Sequence, residues 1–232
     1  MAGNPVSRAR AVQRRYRYYY KPLIFIACLV PALGCLGGIL ASSGLRAPGF
    51  NLGVDPVRFV LDNLGKTALN LLLITLLITP LRQLTGNADL IRVRRMLGLF
   101  VFTYALLHFI VYVGVFQALS AHAIIEDIVK RPFITLGFTA LLLLLPLAIT
   151  STNKMMRRLG RRWQTLHRLI YLIPMLAILH FWKMLKSGYR EPLLYASMLA
   201  LLLGWRLWRR YGRRLQAAAT SRCALPRVQE KA

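Results

Sequence analysis

Three histidines, His108, His167 and His180, stand inside runs of apolar sequence. An imidazole moved from water into hydrocarbon costs free energy, and such residues in membrane segments usually serve a function. Imidazole nitrogen is also an axial ligand of haem iron, so the first chemistry these residues suggest is b-type haem and one-electron transfer within a membrane. His108 is the barest case, because Tyr104-Ala-Leu-Leu-His108-Phe-Ile-Val-Tyr112 holds no charged residue that would account for it. The plain alternative is a histidine hydrogen-bonded to a neighbouring helix. The fourth histidine, His122, lies in Ser120-Ala-His122-Ala-Ile-Ile-Glu126-Asp127 and reads as a solvated residue on a short interfacial helix.

The elements that must position these residues follow from length. A bilayer core takes roughly 20 apolar residues of helix, and six stretches come near that: 22–41, 66–84, 96–119, 133–151, 163–184 and 192–211. The expected fold is all-α, a six-helix transmembrane bundle over 21–211. A basic segment, 1–20, precedes it, and a basic tail without a sustained apolar face, 212–232, follows. Counted with their helix ends, the N-terminal segment, the second and fourth loops and the C-terminal end hold 24 of the 32 Lys and Arg residues. Asp55, Asp62, Glu126, Asp127 and Glu191 lie on the other side. Basic residues mark the cytoplasmic side, so both termini are expected there. Arg14 and Arg15 before the first apolar run also suit a secretory signal, but the run is long for one, and a retained first helix is the expectation.

A hydrophobic content of 56% and a mean hydropathy of +0.49 exclude an ordinary soluble domain. A net charge of +25 raises nucleic acid as a partner. The basic residues punctuate apolar runs, however, so the bilayer is the expected partner and no nucleic acid is. Cys28 and Cys35 lie in the first apolar run and Cys223 in the tail, with no C-x-x-C or Cys/His cluster. Neither an iron–sulfur nor a structural zinc site is expected.

Depth separates the histidines. Trp163 and Trp182 flank the fifth span roughly 28 Å apart, close to the spacing of two interfacial aromatic belts. If the third and fifth spans run outward from Met96 and Gln164, His108 lies roughly 18 Å from the inner end, His180 roughly 24 Å and His167 roughly 5 Å. His108 and His180 are therefore the pair to bridge one haem edge-on in the outer half. Counting 13 or 14 residues back from His108, to where a four-histidine cytochrome has its fourth ligand, reaches Arg95 and Arg94. A second, inner haem on His167 with a non-histidine sixth ligand, a propionate contact, or another cofactor stay open. On a straight helix His167 and His180 point roughly 140° apart, and Pro174 between them could alter that twist.

Several motifs occur together: Thr79-Pro80-Leu-Arg82, Arg94-Arg95-Met-Leu-Gly98-Leu with Tyr104 and Leu107-His108, and Ile149-Thr-Ser151 followed by Met156-Arg-Arg-Leu-Gly160. Trp163-Gln-Thr-Leu-His167-Arg-Leu-Ile-Tyr171 and Leu179-His180-Phe-Trp182 complete the set. From about residue 20 to 210 the chain closely resembles the MsrQ (YedZ) family, haem-binding membrane subunits of periplasmic methionine-sulfoxide reductase systems in the ferric-reductase-like transmembrane group. The resemblance implies a conduit in the bacterial inner membrane. Electrons would come from the quinone pool or a cytosolic flavin reductase, pass through b-type haem and reach a periplasmic molybdopterin reductase, MsrP. The family's haem-ligating histidines fall on His108, His167 and His180. FMN is associated with the family, but no flavin motif is found here. A catalytic thiol pair and a molybdenum-binding domain are both lacking, so the chain itself is not expected to reduce methionine sulfoxide. The rival readings are a ferric or quinone reductase-like transmembrane cytochrome b and, from another class, a cofactor-free transporter or structural membrane protein. The scarcity of intramembrane acids speaks against the last.

Overall fold

Asp55 and Pro56 start the first helix of the core. The Asp55 carboxylate accepts from the Arg58 backbone N–H at 3.0 Å, and Pro56 sits in the first turn, where its missing N–H costs no hydrogen bond. A computed structural model of the chain describes residues 20–42, 55–86, 90–185 and 188–223. Helices α1 (Lys21–Ser42) and α2 (Pro56–Thr85) are followed by α3 (Leu90–Val111), which continues as a π-helical turn over Tyr112–Phe116. Then come α4 (Ala121–Lys130), α5 (Pro132–Ile149), α6 (Asn153–Leu159) and α7 (Arg161–Leu166). A 3-10 stretch, His167–Tyr171, leads into α8 (Leu172–Met184), and α9 (Arg190–Cys223) ends the described chain. Among the described residues there is no strand, as the all-α reading requires. The basic segment up to residue 19 and the tail beyond Cys223 lie outside the described residues.

Four helical units are long and apolar enough to cross a bilayer: Pro56–Thr85, Arg92–Phe116, Pro132–Ile149 and Arg161–Met184. They correspond to the second to fifth expected spans. The first expected span is helical as α1, and the sixth lies within α9, which runs past the expected limit at 211. Capping chemistry starts α2 well before the apolar run expected from residue 66. The helix ends where Gly86, in the left-handed region at φ 66°, turns its N–H back to the Arg82 carbonyl. The expected interfacial helix is α4, with the Ser120 hydroxyl accepting from the Ala123 N–H at its start.

Helices α2 and α3 pack along each other as one hairpin, and α5 and α8 as another; α3 meets α5, while α1 and α9 flank them. Leu76, Val101, Tyr104 and Ile173 are almost wholly enclosed between these helices. On the outside, Ile74, Leu77, Ile110, Leu142, Leu145, Met175 and Leu201 are exposed. In water such a girdle would drive association, and against lipid it is ordinary.

Tyr104 closes a gap in α1. Its hydroxyl accepts from the Ala32 N–H at 3.1 Å and donates to the Cys28 carbonyl, the two groups that an undisturbed helix beside Pro31 would join directly. Tyr104→Phe is expected to cost about 1–3 kcal/mol, because both backbone groups lose their partner away from water. Thermal unfolding in detergent reads this. An unchanged transition would mean that α1 re-forms the bond unaided.

The bundle has two chemically different ends. One gathers Arg82, Arg94, Arg95, Arg157, Arg158 and Arg162, with no carboxylate beside them among the described residues. There Arg95 donates to Asn153 Oδ1, and Gly160 (φ 51°, ψ −119°) makes the turn from α6 to α7 in a conformation that only glycine adopts without strain. The other end holds Asp55, Asp62, Glu126, Asp127 and Glu191 with their basic partners.

Candidate cofactor site

His108 on α3 donates from Nδ1 to the Leu61 carbonyl of α2 at 2.9 Å. His180 on α8 donates from Nδ1 to the Phe133 carbonyl of α5 at 2.6 Å. A neutral imidazole bound this way carries its proton on Nδ1 and leaves the Nε2 lone pair for a metal, which is how an outer hydrogen bond fixes the tautomer of a ligand. The two rings face each other across one cavity of about 420 Å³. Their centres are 6.3 Å apart and their planes nearly perpendicular, at 88°. Two imidazoles on opposite sides of one metal, at bonds of about 2 Å, hold their ring centres about 6 Å apart.

The cavity walls between α2, α3, α5 and α8 are apolar, with Leu69, Leu72, Val101, Leu144 and Ile173 among them. Charged lining residues, Asp55, Arg58, Asp62, Lys66 and Arg131, occur only towards the end where α2 and α5 begin. A site of this size and character is of the kind that takes a large apolar cofactor with a polar edge. Among the described residues no cluster of three His, Cys, Asp or Glu offers a bare metal-ion site. The pair therefore suits an iron whose other ligands come from a macrocycle.

His167 lies apart from this pair, towards the basic end. Its ring stacks on Trp163 with centres 3.9 Å apart, its Nδ1 donates to the Trp163 carbonyl at 3.1 Å, and its Nε2 is buried without a partner. Five of the residues from His167 onward are 3-10, which turns about 120° per residue instead of 100°. The two histidines of this segment then come within roughly 40° of one face. Pro174, which lacks the N–H that Ile170 would bond in an α-helix, explains why the tighter winding sits there. The fourth histidine, His122, is exposed on α4, 3.9 Å from Glu126.

Two glycines of the site escape a reading by motif. A Cβ on Gly65 would lie 3.1 Å from His108 Nδ1, and one on Gly137 2.9 Å from His180 Nδ1, so each glycine is the space its imidazole occupies. The sequence carries the signal as an internal repeat. Leu64-Gly65-x-Thr67-Ala68-Leu69-x-Leu71-Leu72 recurs as Leu136-Gly137-x-Thr139-Ala140-Leu141-x-Leu143-Leu144. Ala105-x-Leu107-His108-Phe109 recurs at the same offset as Ala177-x-Leu179-His180-Phe181. In both copies the imidazole and its carbonyl are 47 residues apart. The counterpart of His167 in the first copy is Arg95. The inner position thus has one imidazole, and the residue at the equivalent place in the first copy is a guanidinium bonded to Asn153.

Comparison with known proteins decides the family. Over 203 residues the chain is 52% identical to the protein-methionine-sulfoxide reductase heme-binding subunit MsrQ of Xanthomonas axonopodis pv. citri, which spans 87% of this chain and 91% of that protein. The chain belongs to the MsrQ family. A protein of the same description from Xanthomonas campestris pv. campestris is 59% identical over 170 residues, 73% of this chain and 78% of the other. The one from Bordetella pertussis is 48% identical over 209 residues, 88% and 95%. Residues 64–178 also match the ferric reductase like transmembrane component family. That stretch holds Gly65, His108, Gly137 and His167 and stops just before His180. No solved structure matches the chain. In this MsrQ family member the histidine pair, its carbonyl anchors and its two glycines are all supplied by the two equivalent hairpins.

Proposed function

We propose that the chain is the haem-binding electron conduit of a methionine-sulfoxide reductase system, with His108 and His180 as the axial ligands of one b-type haem. The observation that carries this is the pair of imidazoles, each anchored through Nδ1 so that Nε2 keeps its lone pair, with ring centres 6.3 Å apart on the lining of one apolar cavity. The relatives described as heme-binding MsrQ subunits support it. When bound, haem supplies a one-electron centre whose potential is set by axial ligands, burial and hydrogen bonding. The protein's part is to hold both imidazoles in the ligating tautomer, keep their spacing nearly fixed and exclude water with Leu72, Val101 and Leu144.

Six spans with both termini in the cytoplasm of a bacterial inner membrane put the basic end inside and the cavity mouth outside. The asymmetry of charge between the two ends supports this topology. Electrons enter at the basic end from the quinone pool or a cytosolic flavin reductase. They leave at the mouth for a periplasmic MsrP-like molybdopterin reductase, which performs the repair. His167 supplies one imidazole to an inner redox position, and FMN belongs to this reading through the family alone. A ferric or quinone reductase-like cytochrome b is the second reading, favoured by the match over residues 64–178. A small acceptor reduced without any periplasmic partner would select it.

The test is a dithionite-reduced minus oxidised spectrum of the purified chain, with haem per chain counted. The native protein is expected to show a six-coordinate b-type signal, lost in His108→Ala and His180→Ala. His167→Ala is expected to spare that signal while altering reduction from the basic end. A folded native chain that takes up no haem would overturn the proposal and favour a cofactor-free transporter.

A further inference from the structure

The cavity is apolar along its length and charged only at its mouth, and haem is an apolar disc with two carboxylates on one edge. Two arginines line that mouth, Arg58 and Arg131. Arg58 lies one helical turn before Leu61, whose carbonyl holds His108. Arg131 caps the start of α5 two residues before Phe133, whose carbonyl holds His180. Each arginine therefore stands roughly 3–5 Å of helix rise beyond the anchor of one axial imidazole.

We infer that Arg58 and Arg131 bind the two propionate carboxylates of the haem, and so fix which edge of the ring faces the mouth. The inference rests on haem binding at His108 and His180 as proposed above. The other charged residues of the lining are less suited. Lys66 is already paired with Glu191 at 2.6 Å and lies over the Phe181 ring, while Asp55 is engaged in capping α2. Arg58 has no ion pair among the described residues beyond its proximity to Asp62. Arg131 meets Asp127 through Nε at 2.9 Å, and Asp127 is fixed in turn by Tyr112 and Gln117. That contact engages Nε and steadies the guanidinium, and Arg131 is itself part of the cavity lining. A guanidinium is the side chain best matched to a carboxylate, which it can take through two parallel hydrogen bonds.

The experiment uses the full chain, purified without haem and reconstituted with haem or with its dimethyl ester, in which both carboxylates are blocked. Transfer of haem to apomyoglobin gives the rate of loss, and a redox titration gives the midpoint potential. Arg58→Gln and Arg131→Gln are each expected to speed haem loss about tenfold, the scale of one charge-assisted hydrogen bond. They should also lower the midpoint potential, because a cation beside the haem favours the reduced form. The ester should speed loss from the native chain and make little difference in the double variant. Arg58→Lys should retain most of the potential, and Lys130→Gln, outside the cavity, should change nothing. Native loss rates and potentials in both glutamine variants, or an undiminished ester effect in the double variant, would overturn the inference while leaving the histidine assignment intact. A native chain that shows no bis-imidazole spectrum after reconstitution would overturn both.

Discussion

Gly137→Ala is expected to strip the protein of most of the haem that His108 and His180 are proposed to hold, while leaving the bundle assembled. The added methyl would lie 2.9 Å from His180 Nδ1 and 3.0 Å from Cε1, inside any normal contact. Neither side can yield cheaply. The methyl is fixed to the α5 backbone, and the ring is held by a 2.6 Å hydrogen bond to the Phe133 carbonyl. Relief requires the ring to rotate, which breaks that bond and disturbs its placement opposite His108. Overpacking together with a lost hydrogen bond costs about 2–3 kcal/mol, more than tenfold in haem occupancy. Gly65→Ala should follow the same course more mildly, because its contact with His108 is 3.1 Å. Haem per chain and the amplitude of the reduced minus oxidised spectrum measure both. Native haem content in Gly137→Ala would mean that α5 and α8 can separate locally, and the glycine would lose its assigned role.

Arg206→Met is expected to loosen α9 from the bundle. The guanidinium donates to the Tyr171 hydroxyl at 2.5 Å and to the Leu76 carbonyl at 2.7 Å, and it lies 5.0 Å from the centre of the Tyr171 ring. One side chain thus ties α9 to α2 and to the 3-10 stretch. Its removal leaves a carbonyl and a hydroxyl without partners, a loss of about 3 kcal/mol or more. Arg206 Nε is itself buried without a partner, and losing it returns part of that. A net destabilisation of about 2 kcal/mol remains. Thermal unfolding in detergent should show it, with Arg206→Lys intermediate because one ammonium does not span both acceptors. A transition equal to the native one would mean that α9 is held by its apolar contacts alone.

What was legible in the sequence depended on how local its cause is. The pairing of His108 with His180 follows from depth, and depth follows from the rise of a helix, so residue counting reached it. The angular position of His167 did not follow. An unbroken α-helix puts it roughly 140° from His180, and a short 3-10 stretch that closes the gap depends on Pro174 and on packing that no single-residue propensity records. The beginning of α2 was written in Asp55-Pro56 but hidden from hydropathy, because the first turns carry Arg58, Asp62 and Lys66. Gly65 and Gly137 resemble any glycine in an apolar helix. Only alignment of the chain against itself, which pairs them with the two histidines, separates them from helix-packing glycines. In the same alignment the place equivalent to His167 is taken by Arg95, so the first copy offers no second imidazole.

The two hairpins that repeat each other also run in the same direction, each entering at the carboxylate-bearing end and turning back at the arginine-bearing end. Repeats of this kind are related by an axis along the bundle, whereas inverted repeats are related by an axis across it. A haem held as proposed would therefore meet near-equivalent surroundings on its two sides, and neither imidazole would be proximal or distal in the sense that a globin has such positions. The two ends have no such equivalence. The protein is built without a left and a right but with a front and a back, which is the only polarity a conduit between two compartments needs.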